Sequence, residues 1–386
     1  MSLRLEFVLR SLTEPTPFRT LCAEYGVSPK TGYKWKQRFF QEGSSGLHDQ
    51  SRRPAASPAA LPEQVVCEIV RLKQAHRTWG PRKIRELYAR RHRAQPLPSE
   101  SSVKRVLDKA GLVEKRRSRR SRDTGRLQSR VDAQAPNDVW TVDFRGWWYT
   151  PTHERCEPFT VRDAYSRYVL ASAILPDART ETVQQACEGL FERYGLPGTI
   201  RSDNGRPFAA TTAPLGLSRL SAWWLALGID LDRIDPGCPY QNGAHERMHG
   251  DLARDLERRI NGDLARHQAA LETWRHTFND ERPHEALGMR CPAEIYSPSS
   301  RRYEGTPDQL DYPDDLLDRR VNAAGQIKLH GMAIAISTAL RGWNVGLKPR
   351  GGREYALYFA RLCLGRVDLS TESFHPATNE DLRCDG

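Results

Sequence analysis

Three carboxylates stand where the pattern of the chain changes, and each is placed to do chemistry. Asp143 closes Val139-Trp-Thr-Val-Asp-Phe144, whose alternation puts Val139, Thr141 and Asp143 on one face of a strand and Trp140, Val142 and Phe144 on the other. Asp203 closes Thr199-Ile-Arg-Ser-Asp203, and Asn204-Gly205 behind it lets the backbone turn sharply. Glu246 opens the helix that follows Pro239-Tyr-Gln-Asn-Gly, a position that suits a negative charge. Met248, Leu252, Leu256 and Ile260 recur at helical spacing along that helix as a buried stripe, and Glu246 lies off it. Hard Mg²⁺ or Mn²⁺ takes oxygen ligands, and carboxylates offset its charge while leaving positions for water and phosphate. Asp143, Asp203 and Glu246 are therefore expected to meet around two such ions for chemistry on a DNA phosphodiester, one ion activating the attacking oxygen and the other the leaving one.

The elements between the acids must bring them together. The run ending at Asp143 and those at 159–163 and 168–174 read as a three-stranded antiparallel meander. A helix over 180–194, stopped by Gly195 and Pro197, returns the chain to the strand before Asp203, and right-handed crossover lays that strand parallel to the first. Two aspartates then lie at the carboxyl ends of neighbouring strands, where sites of open α/β sheets form. A helix over 217–227, a short strand at 228–231 and a Pro/Gly loop precede the Glu246 helix, and a further helix spans 264–279. Asn204, Asn242, His245, Arg247 and His249 are candidates for supporting roles around the acids. The two histidines are expected on phosphate or substrate rather than on metal, because oxygen-rich Mg²⁺ sites rarely use imidazole. Asp163 is expected to pair with Arg167, and Trp147-Trp148-Tyr149 to pack rather than to stack on bases.

The rest of the chain is basic and modular. Its 386 residues suggest two to four domains, and 59 Lys+Arg against 48 Asp+Glu give +11, which favours a polyanionic partner. Residues 1–50 read as three helices, with Ser28-Pro29 starting the third and Lys30, Thr31, Lys34, Lys36 and Gln37 on it as donors for bases and phosphates. Residues 61–113 repeat the pattern, with Lys104, Arg105 and Lys109 on the last helix. The stretch 114–134 holds a basic block including Arg116, Arg117, Arg119 and Arg120, a linker suited to lie along phosphates. Residues 320–369 alternate like the short strands of a small barrel with a basic edge at Arg341, Lys348, Arg350 and Arg353. The eight scattered cysteines lack zinc spacing and read as reduced packing thiols. No apolar run is long enough to span a bilayer, so a cytoplasmic protein is expected.

WTVDF (140–144), VRDAYSRY (161–168), IRSDNGRPF (200–208), PYQNGAHERMH (239–249) and FNDERPHEAL (278–287), in that order, resemble the DDE-type bacterial insertion-sequence transposases of the retroviral integrase superfamily. The resemblance implies a multidomain chain: all-α helix-turn-helix modules, an α/β RNase H-like core at 135–300 with a mixed five-stranded sheet, and a small SH3-like β-barrel. It implies a polynucleotidyl transferase with Asp143, Asp203 and Glu246 as metal ligands, acting on double-stranded element ends and target DNA as a dimer or larger. The interval from Asp203 to Glu246 is longer than in much of the superfamily, with the excess in the 209–217 loop, and the zinc module of retroviral integrases is absent. Two rivals remain: a regulator or transposase relic that binds DNA without cutting it, and an RNase H-like nuclease without strand transfer.

Overall fold

The computed structural model describes residues 2–49, 60–113, 131–210, 213–235, 238–256 and 260–377. It divides into two compact units, Met1–Pro62 and Glu63–Gly386. In the first, α1 (Leu3–Thr13), α2 (Phe18–Glu24) and α3 (Pro29–Glu42) enclose Phe7, Val8, Leu21 and Cys22. The Phe7 ring meets those of Phe18, Tyr25 and Trp35 edge-on. Ser28 starts α3 as expected, its Oγ accepting from the Thr31 amide at 3.2 Å. Gly32 lets α3 cross this cluster, since a Cβ there would come within 2.8 Å of the Phe7 ring.

The second unit opens with α4 (Glu63–Ala75), α5 (Pro81–Arg91) and α6 (Glu100–Lys109), which bury Ile69, Leu72, Ile84, Tyr88, Val103 and Leu107. Ser99 caps α6 through the Ser102 amide. The core sheet contains β1 (Val139–Phe144), β4 (Pro158–Asp163), β5 (Val169–Ile174), β6 (Thr199–Ser202) and β7 (Asp230–Arg233), in the order β5-β4-β1-β6-β7. β1, β4 and β5 are antiparallel neighbours, while β6 pairs parallel with β1 and β7 with β6, giving the expected mixed sheet. An addition that the sequence did not disclose is a hairpin of β2 (Trp148–Tyr149) and β3 (Arg155–Cys156) beyond the end of β1 and β4.

Helices cover both faces of this sheet. On one side α7 (Thr180–Tyr194) and α8 (Arg219–Ala226) close an aromatic core of Trp140, Phe159, Phe191, Trp223 and Trp224. On the other, α9 (Gly243–Leu256) and α10 (Leu264–His276) bury Met248, Leu252, Leu271, Trp274 and Phe278 against Val169. The stripe read from the sequence is thus buried at Met248 and Leu252. Asn279, from the last of the five motifs, hydrogen-bonds both the amide and the carbonyl of Val169 and so latches this helical layer to edge strand β5.

The C-terminal region differs from expectation. β8 (Leu317–Arg320), β11 (Asn344–Gly351), β12 (Glu354–Phe359), β13 (Leu362–Asp368) and β14 (Ser373–Pro376) make an antiparallel sheet in the order β14-β13-β12-β11-β8, and β9 (Gln326–Leu329) pairs with β10 (Met332–Ala335) as a separate hairpin. No hydrogen-bonded ladder among the described residues closes these strands into a barrel. The apolar face is instead sealed by a shared core in which Leu217, Ala222 and Leu225 around α8 pack with Val345, Leu357 and Phe359. Seven cysteines among the described residues are free thiols. No described helix is long and apolar enough to cross a membrane.

Candidate active site

The β1–β6 register pairs Trp140 with Ile200 and Thr141 with Arg201, so Asp143 and Asp203 follow at the same end of adjacent parallel strands. Asp203 lies just past β6, and its Oδ1 accepts from the Gly205 amide at 3.0 Å. A Cβ at 205 would start 3.0 Å from Asp203 Oδ2 and press on the acid. Glu246 sits in the first turn of α9 and is exposed. The Asp143 carboxyl is pushed up to about 7, by burial first, then by repulsion from Asp203, with Glu246 contributing as well. Like charges have been gathered there.

Beneath the acids, two histidines on α9 are held by two threonine hydroxyls. Thr160 Oγ1 donates its one proton to the Asp143 carbonyl at 3.0 Å, so it accepts from Nε2–H of both His245 and His249, each 2.8 Å away. Thr141 Oγ1, which donates to the Arg162 carbonyl at 3.2 Å, also lies 2.6 Å from His245 Nδ1. Burial drives both rings toward the neutral form, His249 down to about 3 with help from Arg145 and Arg162. His245 is 0% exposed with both nitrogens engaged, which removes it from the substrate-facing role expected of it. It ties the start of α9 to β1 and β4. His249 keeps one unshared pair, on Nδ1, 3.9 Å from Asp143 Oδ2. Two acceptors facing at that distance repel unless a proton or a cation comes between them.

The donor atoms of Asp143, His245 and His249 lie within 4.8 Å of one another, the spacing of a metal-binding group. Because His245 is committed to the threonines, the donors open to an ion from this group are Asp143 and Nδ1 of His249. Asp203 and Glu246 act on the Asp143 carboxyl from outside this close group, whose carboxylate and open imidazole nitrogen can hold a divalent cation.

The other sequence candidates are placed as follows. Asn204 donates to the Ile234 carbonyl at 2.6 Å and joins the Asp203 loop to the end of β7. Asn242 is buried, and Arg247 is exposed beside Glu246. Asp163 does not pair with Arg167. It is fully buried in the β4–β5 turn and accepts from the Asn137 amide and from the amide and hydroxyl of Ser166. Of the Trp147-Trp148-Tyr149 cluster only Trp148 packs inward, while its neighbours are 54% and 59% exposed. On α3, Lys30 and Lys34 are exposed, whereas Thr31 bonds Ser28 and Lys36 reaches the Ser11 carbonyl. Lys104, Arg105 and Lys109 are exposed on α6. Arg116, Arg117, Arg119 and Arg120 lie outside the described residues. Sequence reasoning passed over Thr141 and Thr160, although Thr141 had been placed on the Asp143 face of its strand.

Comparison with known proteins bears on the same segments. The family described as "Integrase core domain" matches residues 133–239 and again 227–292, a helix-turn-helix domain matches 3–55, and a homeodomain-like domain matches 31–107. The "Insertion element IS476 uncharacterized 39.2 kDa protein" of Xanthomonas euvesicatoria is 26% identical over 65% of this chain and 70% of its own length. The "Insertion element IS407 uncharacterized 31.7 kDa protein" of Burkholderia multivorans is 26% identical over 62% of this chain and 83% of its own. Among solved structures, the HTLV-2 integrase catalytic core domain in complex with magnesium covers 43% of this chain and 100% of its own at 18% identity, with a TM-score of 0.34.

Proposed function

We infer that this chain, an insertion-sequence transposase with an integrase-like core, cleaves and joins DNA strands at a site made by Asp143, Asp203 and Glu246. The observation that carries the residue assignment is the gathering of three acids at one end of β1, β6 and α9, close enough that Asp203 and Glu246 raise the Asp143 carboxyl. Divalent ions held there, two Mg²⁺ or Mn²⁺ in our reading, would supply charge for the attacking and leaving oxygens of the phosphodiester. The chain's own part is positional. Thr141 and Thr160 fix His245 and His249, and through them the first turn of α9, against the strand that carries Asp143. Burial keeps both imidazoles neutral, so neither sets a positive charge beside the acids where a cation would be held.

We assign the helical modules at 1–50 and 61–113 to the terminal repeats, through Lys30 and Lys34 on α3 and Lys104, Arg105 and Lys109 on α6. We assign the basic linker 114–134 to DNA phosphates, and the chemistry to the core at 135–300. The sheet and hairpin around 320–369 serve as a module of SH3 size. Two element ends have to be held in one complex, which calls for at least two copies of the chain. A strand-joining assay with pre-cleaved ends tests this reading against a nuclease: joined products in Mg²⁺ are expected, and cutting without joining would overturn strand transfer. Neither cutting nor joining by folded protein would leave a DNA-binding regulator.

A further inference from the structure

The β2–β3 hairpin continues the β1–β4 ladder past its catalytic end. Asp143 pairs with Thr160, Phe144 with Phe159, the Arg145 amide bonds the Pro158 carbonyl, and Trp148 then pairs with Cys156. Alternation along β2 splits its aromatics between two sides. Trp148 faces inward, packed on the cluster of Met248 and Leu252 from α9, with the Arg145 guanidinium 5.2 Å from its ring centre. Trp147 and Tyr149 face outward, more than half exposed, with their rings 5.3 Å apart. Arg155, which also pairs with Glu157, lies over the Trp147 ring at 5.4 Å.

This is an anchored outcrop. Cys156 is 0% and Thr150 3% exposed, and Glu154 accepts from the Leu264 amide at the start of α10. The fold fixes the base of the hairpin firmly while leaving two large rings more than half exposed, apolar surface that a partner can cover. Four trans peptide steps put the Trp147 Cα within about 15 Å of that of Asp143. Among nucleic-acid contacts, an exposed indole flanked by a guanidinium suits a base face, which every unpaired nucleotide offers and a stacked duplex hides.

We propose that Trp147, supported by Tyr149 and Arg155, is a stacking platform for an unpaired nucleobase of the DNA strand that enters the acidic end of the sheet. The platform holds the strand by a base while the phosphodiester lies at the acids. It deepens the transposase reading, on which it rests for the DNA substrate, and it is measured without metal so that the two can fail separately. The guanidiniums of Arg145 and Arg155 beside the rings, the latter shared with Glu157, can meet DNA phosphates, which favours DNA over a second copy of the chain as the occupant.

The test uses the full chain in chelator with a single-stranded oligothymidylate carrying one 2-aminopurine, and a duplex of equal length. Trp147→Ala is expected to weaken single-strand binding roughly 5- to 100-fold and to lose the quenching of 2-aminopurine, with duplex binding changed by less than about twofold. Trp147→Phe should restore most of both. The exposed position makes loss of the fold a minor concern, and circular dichroism checks it. Unchanged single-strand affinity, or an equal loss on duplex, overturns the proposal. So does a fall in self-association by sedimentation with single-strand binding intact, which would assign the rings to a protein interface. If the Trp147→Ala effect holds but wild type neither cuts nor joins DNA in Mg²⁺, stacking stands and the transposase reading fails.

Discussion

The two helical modules share a sequence pattern and differ in how they are held. Helices α1–α3 belong to a compact unit of their own, around a core of interlocked aromatic rings. Helices α4–α6 belong to the same unit as the core, and polar bonds fasten them to it. Thr78 Oγ1 bonds Asp255 on α9 at 2.6 Å, Arg90 bonds Glu294 and the Met289 carbonyl, and Arg82 lies 3.6 Å from Glu285. Asp255 is itself part of a partly buried knot with Arg282, Asp251 and the Trp274 indole. A basic module that ends on the helix carrying Glu246 is part of the catalytic body, whereas a module with its own core can act as a separate reader.

Breaking the knot, or the ring cluster of the first unit, should have the largest effects. Arg282→Ala leaves Asp255 without its arginine and Asp251 with Arg254 alone, both in partly buried places, a loss on the order of 3 kcal/mol that urea denaturation would register in the core transition. Phe7→Ala should cost about as much, roughly 3–5 kcal/mol, but only in the first unit. The contrast is the point: a core transition that moved with Phe7→Ala would mean the first module is not autonomous.

A smaller effect follows from the acids. The Asp143 carboxyl titrates near 7 in the folded chain and near 3.9 when unfolded, so the native state binds the extra proton between those values. In chelator, stability should therefore fall as pH rises from about 4 to about 7 and then level off. Asp143→Asn should flatten that slope, and a melting series in pH checks it. The smallest effect belongs to the exposed reader face: Lys34→Ala should leave melting unchanged and reduce the salt slope of duplex binding by about 0.9.

Much of this was legible in the chain because its local signals agreed. Ser28-Pro29 starts α3 where the sequence places it, and the crossover rule puts β6 beside β1. What escaped depended on packing across distance. The β2–β3 hairpin is two residues wide on each side, too short to alternate visibly, so its rings read as core. His245 could be tied to its helix but not to Thr141 and Thr160, which reach it only once β1 and β4 are paired. Asp163 has an arginine nearby in sequence, yet its carboxylate takes the amides of Ser166 in the turn and of Asn137 ahead of β1 instead. The last sheet shows the same limit. Its strands alternate as a barrel's would, and only the apolar side of α8 reveals why they need not close on themselves.

The most direct measurement is Mg²⁺-dependent cleavage of element-end DNA by Asp203→Asn, alongside end binding by the same protein. We expect cleavage to vanish while binding and fold are retained. Cleavage at the wild-type rate by the folded variant would contradict the assignment of the three acids.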